Sequence, residues 1–146
     1  MADAPTLPTY RTGLLWSTAN RVFRIRVAET LAKFELAMTE WALLGTLFEA
    51  QPKGVHLADI ASALSVEPPL ITTMVSQLEN KELVVRKEDV RDRRAKYIHL
   101  TEKGIELVPR VEETMQQTLT DVLKDASDAE KTSFLKVLQA IVKNAV

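Results

Sequence analysis

The sequence contains no cysteine, and this absence excludes disulfides, thiol catalysis, thiolate zinc sites and sensing by cysteine oxidation. Glycine is also scarce, with four residues in a chain of 146, which favours a helix-rich fold with few tight turns. No apolar run approaches the roughly 20 residues that span a membrane. The N-terminal stretch MADAPTLPTY lacks the basic and then apolar order of a signal peptide. We therefore expect a cytoplasmic protein with no membrane partner.

The charges of the chain almost cancel. The formal net charge is −1, with 27% charged and 46% apolar residues, which is the composition of an ordinary folded protein. The length suits a single domain, residues 1–146, and folded chains of this size bury roughly 70% of their unfolded surface. Because the whole molecule supplies no attractive field, any affinity for nucleic acid must come from local patches.

Apolar periodicity predicts long helices at both ends of the chain. Near the N-terminus, the residues Leu14, Thr18, Val22 and Ile25 recur at spacings of four and three. After Thr101, a long helix and then a last helix, capped by Ser127 or Asp128, complete the chain. The apolar surface of these helices exceeds what one small module could cover. We predict that residues 9–35 and 102–146 form a homodimer interface, the alternative being that they pack only on their own chain.

The middle of the chain predicts shorter elements. A helix opens with Thr39 as N-cap and Glu40 in its first turn, and the short helix LADIASAL follows. After the tight turn SVE, a further helix has Pro68 and Pro69 in its first turn, where their missing N–H groups cost little. The inward side of this helix would be formed by Ile71, Met74 or Val75, and Leu78.

Two strand-like segments, LVVRKE and KYIHLT, flank a charged run and predict a two-stranded ribbon. Two short helices, a tight turn and a hairpin make a winged helix-turn-helix, whose second helix can enter a DNA major groove. The predicted fold is therefore mostly α with a small β-hairpin wing. The winged helix-turn-helix covers residues 39–101, and its wing covers residues 83–101.

The second helix of this unit, the predicted recognition helix, carries short polar groups. Its polar side offers four side chains that can bond to base edges and phosphates: Thr72, Thr73, Ser76 and Gln77. An ordinary solvated face is the alternative interpretation. The hydroxyl residues favour the DNA-contact interpretation, because Glu, Lys and Ala would be better helix formers at exposed positions.

The tip of the predicted hairpin concentrates positive charge. Residues 81–96 contain four acidic residues and seven basic ones: Lys81, Arg86, Lys87, Arg91, Arg93, Arg94 and Lys96. A guanidinium suits the negative potential of a narrow minor groove. Asp89 and Asp92 could hold one guanidinium by a bidentate bond while another reaches outward. The alternative is a solvated turn with incidental ion pairs.

The run DVRDRRAKYIHLTEKG resembles the wing signature of the MarR family of winged-helix transcription regulators. The matching positions are Asp89, Arg91, Asp92, Arg94, Leu100, Thr101 and Gly104. The run LADIASALSVEPPLITTMVSQLENKELVVR is similar to the family's helix-turn-helix, including a Pro at the start of the recognition helix. We accordingly predict DNA contacts from Pro69 and Arg86 in addition to the recognition-helix polar groups and the tip arginines.

This resemblance implies a homodimer that binds a palindromic double-stranded DNA operator, usually as a repressor released by a small aromatic or anionic effector. The half-sites would lie about one helical turn, ~34 Å, apart. Trp16 and Trp41 lie on apolar helices near the family's effector pocket, and Arg24 could hold an anionic effector. Core packing for the tryptophans and a solvated face for the arginine are the alternatives.

The chain departs from the family pattern at two places. Family members often carry Arg where this chain has Thr73 and Gln77, so the electrostatic share of binding shifts to the wing. They usually have Gly where Glu82 stands, just past the helix end, where a left-handed conformation is easiest for Gly. This second departure predicts a slightly different exit from the recognition helix.

The sequence predicts neither catalysis nor a cofactor. His56 and His99 are isolated, and no second ligand lies at metal-binding spacing. No nucleophile–base pairing or glycine-rich phosphate loop is present. We therefore expect a protein that is not an enzyme and holds no metal. The alternative function is a winged-helix protein-interaction module without DNA binding, which the arginine-poor recognition helix and the net charge would permit.

Overall fold

The computed structural model describes residues 8–145. Residues 1–7 and Val146, at the two ends of the predicted domain, lie outside the described part. The fold is mostly helical, as predicted. Its elements are α1 (Thr9–Ala32), α2 (Met38–Glu49), β1 (Val55–His56), α3 (Leu57–Leu64), α4 (Pro68–Asn80), β2 (Val84–Glu88), β3 (Lys96–Leu100), α5 (Glu102–Val122) and α6 (Asp128–Asn144). None of the helices within this range is both long and apolar enough to cross a membrane.

The core is formed by α2, α3, α4 and the sheet, with parts of α1 and α5. Its fully buried side chains include Leu43, Leu47, Ile60, Ile71 and Ile98. In contrast, α6 buries none of its residues. Most apolar side chains of α2, α3, α4 and the sheet are therefore covered within the chain, whereas those of the last helix are not.

The N-terminal half of α1 does not reach the core. The predicted stripe of Leu14, Val22 and Ile25 is exposed, and α1 enters the core further along, through Val27 and Leu31. The contacts of α1 with α5 include those of Arg26 with Asp121 and of Thr30 with Thr118. The stripe of Leu14, Val22 and Ile25 is left 47–71% exposed by the rest of residues 8–145.

Two polar contacts fix α1 on α5. The hydroxyl groups of Thr30 and Thr118 lie 2.7 Å apart, and Arg26 donates from Nη2 to Oδ2 of Asp121. Thr30 is buried, and its hydroxyl has two partners, the carbonyl of Arg26 at 3.0 Å and the hydroxyl of Thr118, so it is not left unsatisfied. These contacts select one position along α5 for the end of α1.

The sheet has three antiparallel strands in the order β1-β3-β2, so the predicted two-stranded ribbon was incomplete. Strand β2 pairs with β3 from Val84 opposite Leu100 to Glu88 opposite Lys96. The extra strand β1 has two residues, which is too short for an alternating pattern to predict it. It places His56 opposite Tyr97, with their rings edge to face at 4.5 Å.

The start of α2 differs from the prediction, which named Thr39 as the N-cap. The helix begins at Met38 and its N-cap is Ala37, whose N–H donates to Oε1 of Glu40 at 3.0 Å. The carboxylate of Glu40 thus satisfies the N–H of the N-cap residue, and no side chain caps the N–H groups of the first turn. At α6 the cap is Ser127, whose hydroxyl accepts from the N–H of Glu130 at 3.2 Å.

A partly buried ion pair connects the start of α2 to the end of α4. Nζ of Lys81 lies 3.0 Å from Oε2 of Glu40, and it also donates to the carbonyl of Glu35 at 2.6 Å. Glu40 is only 6% exposed, so its charge requires this partner. Lys81 therefore belongs to the interior contacts of the fold, although it was counted with the hairpin charges.

The exit of α4 keeps the left-handed conformation, so the predicted difference at Glu82 was wrong. Glu82 has a φ of +61°. The N–H of Leu83 donates to the carbonyl of Leu78 at 3.0 Å, and that of Glu82 to the carbonyl of Glu79 at 2.9 Å. These two bonds form a Schellman motif, in which glycine usually occupies the left-handed position that Glu82 has here. The surrounding contacts impose the conformation although a side chain is present.

The start of α5 is locked onto this exit. The hydroxyl of Thr101 donates to the carbonyl of Glu82 at 2.6 Å and accepts from the N–H of Gly104 at 3.1 Å. A Cβ on Gly104 would lie 2.3 Å from the carbonyl oxygen of Leu83. The Leu-Thr-x-x-Gly run therefore combines a helix cap with a close backbone approach that only glycine permits.

Replacing Glu82 by Gly should stabilise the protein. A left-handed conformation costs a residue with a Cβ about 1–2 kcal/mol, and the greater unfolded-state entropy of Gly offsets part of this gain. We expect a net gain of about 1 kcal/mol, which for a chain of this length raises Tm by about 2–4 °C in a thermal unfolding experiment.

The matched control is Glu82→Ala. It removes the same carboxylate, which makes only an exposed contact of 3.8 Å with Lys103, but keeps the Cβ. We expect no gain in Tm from this variant. An equal gain in both variants would show that the carboxylate, and not the backbone conformation, was unfavourable.

Candidate nucleic-acid interface

Helix α4 separates its apolar and polar residues cleanly. Ile71, Met74, Val75 and Leu78 are buried, so both candidates for the middle inward position face the core. The four predicted polar residues of the recognition helix are all exposed, as are Pro68 and Pro69 in the first turn. The predicted contact residues of α4 thus lie together on one free face of the helix.

The hydroxyl groups on this face already donate to the backbone. Thr72 donates to the carbonyl of Pro68 and Thr73 to that of Pro69, each at 3.2 Å. Ser76 donates to the carbonyl of Thr72 at 3.0 Å. These bonds to the preceding turn leave the hydroxyl oxygens as outward acceptors. Gln77 is the exposed member of the set whose side chain is not committed to another residue in the range 8–145.

Arg86 connects β2 to this helix. Its Nη2 donates to the hydroxyl oxygen of Ser76 at 2.7 Å, and its Nε lies 2.8 Å from Oε1 of Glu79. The second contact is ionic and lies off the N–H direction. The side chain of Arg86 is 26% exposed. Because Nη2 also donates to the carbonyl of Thr72 at 3.4 Å, the predicted DNA contact of Arg86 starts from a guanidinium that already has three partners.

The three tip arginines, Arg91, Arg93 and Arg94, are exposed. In the part of the chain that the structure describes, no carboxylate lies within 4.0 Å of their guanidinium groups. The predicted bidentate pairs with Asp89 and Asp92 are thus not formed. All three guanidinium groups are available to an external anion.

Asp89 and Asp92 position the backbone of the tip and not its guanidinium groups. Oδ1 of Asp89 accepts from the N–H of Arg91 at 2.9 Å, and Oδ1 of Asp92 accepts from that of Arg94 at the same distance. These are Asx turns, in which a short carboxylate folds the chain two residues ahead. The predicted positioning role of the aspartates thus has a geometric basis in the two turns.

The usable positive charge lies on the hairpin itself. Two of the seven basic residues counted in the sequence, Lys81 and Arg86, are paired with Glu40 and Glu79. From Lys87 to Lys96, five basic residues and three acidic ones remain. The excess of positive charge is therefore local, next to the exposed face of α4.

The histidines are part of the sheet. A Cβ on Gly54 would lie 2.6 Å from the ring of His99, so this turn closes directly over the imidazole. Burial, and then the charge of Lys87, lower the pKa of His99 below its usual value. Within residues 8–145, no group of three or more His, Asp and Glu could hold a metal ion.

The predicted effector residues are not brought together. A cavity of about 130 Å³ lies between α1, α2 and α5, and Trp41 lines it with Phe23, Met115 and Leu119. Trp16 is 49% exposed on the N-terminal half of α1, and Arg24 is exposed on the same helix. Of the three predicted residues, only Trp41 contacts this cavity. Sequence periodicity could not identify the remaining lining residues, because they come from two helices, α1 and α5, that are distant in the sequence.

The helix pair α3–α4, followed by a hairpin, defines a winged helix-turn-helix protein. A sequence model of the MarR family matches residues 36–96, which is the part that contains both helices and most of the hairpin. This part of the chain is therefore similar to the MarR family, in agreement with the resemblance of the wing motif.

Solved structures extend the similarity beyond this domain. A MarR-family transcriptional regulator from Rhodococcus sp. RHA1 is 25% identical, with a TM-score of 0.81 over 94% of this chain and 96% of its own. CouR from Rhodococcus jostii RHA1, bound to p-coumaroyl-CoA, is 25% identical, with a TM-score of 0.79 over 89% and 90%. MepR of S. aureus, in a complex with DNA, is 24% identical, with a TM-score of 0.78 over 96% and 99%. The terminal helices are therefore part of the shared fold.

Arg86→Ala should destabilise the fold, because it removes a charge-assisted hydrogen bond and leaves Glu79 without its partner. We expect a loss of about 1–2 kcal/mol in the free energy of unfolding, measured by urea denaturation. Arg91→Ala is the matched control, since its guanidinium is unpaired, and should change the free energy by less than about 0.5 kcal/mol. Equal effects of the two substitutions would contradict the role of Arg86 as a connection between β2 and α4.

Proposed function

We propose that the protein is a homodimeric, sequence-specific DNA-binding transcriptional regulator. Each protomer would place α4 in a major groove and the tip of the hairpin in the flanking minor groove. The observation that carries this proposal is the combination of a free polar face on α4 with three unpaired arginines at the hairpin tip. Arg86 holds the two parts in a fixed relation by its contacts with Ser76 and Glu79. Such an arrangement suits a duplex, which offers two grooves side by side.

The similar proteins support the same proposal. The matched domain belongs to a family of DNA-binding regulators, and the structure of MepR contains DNA. A regulator has no need of catalytic residues, and we propose that the protein is not an enzyme and acts in the cytoplasm. We further propose that DNA binding represses transcription and that a small effector releases the protein from a palindromic operator.

We propose that residues 9–35 and 102–146 form the dimer interface and residues 39–101 the DNA-binding unit. The support is the apolar surface left uncovered on the terminal helices. In α1, Leu14 and Leu15 are each 71% exposed, and in α6 Leu135 is 56% and Val142 70% exposed. Burying such surface against a second copy would remove it from water, which is the main favourable term in association. The two copies would present equivalent α4 faces to the two halves of a palindrome.

The cavity beside Trp41 is the proposed effector site. It lies between α2, which belongs to the DNA-binding unit, and α1 and α5, which belong to the proposed interface. Its volume of about 130 Å³ approaches that of an engineered cavity of about 150 Å³ that holds one benzene ring. Glu112 is the charged residue in its lining, and a carboxylate repels an anion. The site therefore favours an aromatic effector over an anionic one.

Removing the tip arginines should weaken DNA binding and reduce its salt dependence. The variant Arg91→Ala/Arg93→Ala/Arg94→Ala lacks guanidinium groups that would displace counterions from the phosphates. The slope of log K against log salt concentration should decrease by about 0.9 for each phosphate that the variant no longer neutralises. The measurement is a titration of operator DNA, selected from a random pool, at several salt concentrations.

The matched control removes three exposed basic residues outside the DNA-binding unit, namely Arg110, Lys124 and Lys136, and is used after ultracentrifugation shows that its oligomeric state equals that of the wild-type protein. This variant should keep the wild-type slope. An unchanged slope in the tip variant would contradict the wing assignment. Absence of any salt-dependent DNA affinity in the wild-type protein would favour the alternative, a winged-helix protein-interaction module.

Dimerisation is tested separately from DNA binding. Leu135→Glu in α6 or Leu14→Glu in α1 would bury an unpaired carboxylate in an apolar interface, which is strongly unfavourable. We expect analytical ultracentrifugation to give the mass of two chains for the wild-type protein and of one chain for these variants. Val90→Glu is the control, because Val90 is fully exposed at the hairpin tip. A wild-type monomer, or variants that remain dimeric, would contradict the proposed interface.

A further inference from the structure

We infer that α4 recognises an A·T-rich half-site, in which Leu70 contacts thymine methyl groups and Gln77 contacts adenine. This inference rests on the proposed function, since it specifies which bases the DNA-binding unit would select. It follows from the hydrogen-bonding state of the exposed α4 face, considered group by group.

The face lacks the Arg and Lys side chains that usually bind guanine. In the major groove, guanine presents two acceptors, N7 and O6, and Arg or Lys usually binds them. Helix α4 contains neither residue from Pro68 to Asn80. The two nearest basic side chains are also committed. Lys81 binds Glu40 and the carbonyl of Glu35, and Arg86 binds Ser76 and Glu79.

The hydroxyl groups do not replace these donors. Thr72, Thr73 and Ser76 each donate their hydrogen to a carbonyl four residues earlier. Donation to guanine would require breaking one of these bonds. Ser76 is the most fully engaged of them, because its oxygen also accepts from Arg86. The outward chemistry of these side chains consists of acceptor oxygens and, for the threonines, methyl groups.

Leu70 adds an exposed apolar side chain to the same face. It lies in the first turn of α4 and is 52% exposed, beside the exposed Pro68 and Pro69. An exposed leucine alone is ordinary on a protein surface. At the N-terminal end of a recognition helix, however, it occupies the part that contacts base edges. The base feature that favours an apolar side chain there is the C5 methyl group of thymine.

Gln77 adds the complementary contact. It is exposed, and its side-chain amide carries both a donor and an acceptor. This pair matches the N7 acceptor and the N6 donor of adenine in a bidentate arrangement. Thymine methyls and adenine edges occur in the same base pairs. The groups that α4 has available for base contacts therefore match the groups that A·T pairs present in the major groove.

The test uses the full-length chain and DNA sites selected from a random pool. Each thymine of a selected site is replaced singly by deoxyuridine, which removes the C5 methyl group and keeps the base pairing. Dissociation constants are measured at one fixed salt concentration. We expect at least one thymine per half-site whose replacement weakens wild-type binding about fourfold, the factor that burial of one methyl-sized group gives.

The variant Leu70→Ala should bind the thymine and deoxyuridine sites equally. Val90→Ala serves as the matched control, because Val90 is also apolar and exposed but lies at the hairpin tip. A minor-groove contact cannot sense a methyl group in the major groove. Val90→Ala should therefore keep the fourfold discrimination.

Two results would overturn this inference while leaving the proposed function in place. The first concerns discrimination between thymine and deoxyuridine, measured when DNA binding is specific and salt-dependent. The inference is overturned if Leu70→Ala still discriminates between the two bases, or if the wild-type protein does not discriminate between them. The second is a loss of tenfold or more when 7-deazaguanine, which lacks the N7 acceptor, replaces a half-site guanine. If the wild-type protein shows no salt-dependent DNA affinity at all, the proposed function is overturned and this inference with it.

Discussion

The backbone carbonyls of Glu82 and Leu83 join α4, the sheet and α5 at one point, and the position of the exposed α4 face depends on this junction. Thr101 binds both carbonyls, through its hydroxyl at 2.6 Å and its N–H at 3.0 Å. Gly104 lets α5 approach, because any Cβ there would overlap the carbonyl of Leu83. Glu82 adopts the unfavourable left-handed conformation because these contacts, together with the buried side chain of Leu83, determine the path of the chain.

Much of this fold could be predicted from the sequence, because its helices are amphipathic and their boundaries carry proline and capping residues. Periodicity placed α3, α4 and the two hairpin strands within a few residues. The failures have physical causes. Strand β1 consists of two residues whose pairing with β3 comes from packing. Ala37 caps α2 because Glu40 reaches back to its N–H, and a left-handed Glu82 overrides local preference through tertiary contacts.

The candidate site could be predicted in its composition but not in the state of its charges. Helical periodicity is sufficient to expose Thr72, Thr73, Ser76 and Gln77. Whether the charge of Lys81 is paired depends on Glu40, which is 41 residues away in the sequence. Whether the charge of Arg86 is paired depends on how β2 lies against α4. A count of charges along the sequence therefore overestimates what the DNA-binding unit can offer. The paired residues serve the geometry of the site and leave electrostatic attraction to the hairpin tip.

The Glu40–Lys81 pair and the Glu82–Leu83 junction connect the cavity to α4. Trp41, which lines the cavity, directly follows Glu40, whose carboxylate holds Lys81 at the end of α4. The opposite wall belongs to α5, whose first turn is held by the Glu82–Leu83 junction. An occupant that separated α2 from α5 would therefore act on the last turn of α4 from two sides. In the proposed regulator, an effector with different affinities for the two arrangements would shift the population of α4 orientations. Both connections are direct contacts to the end of α4, an ion pair at Lys81 and a hydrogen bond at the carbonyl of Glu82, so the displacement would be transmitted to that end of the helix.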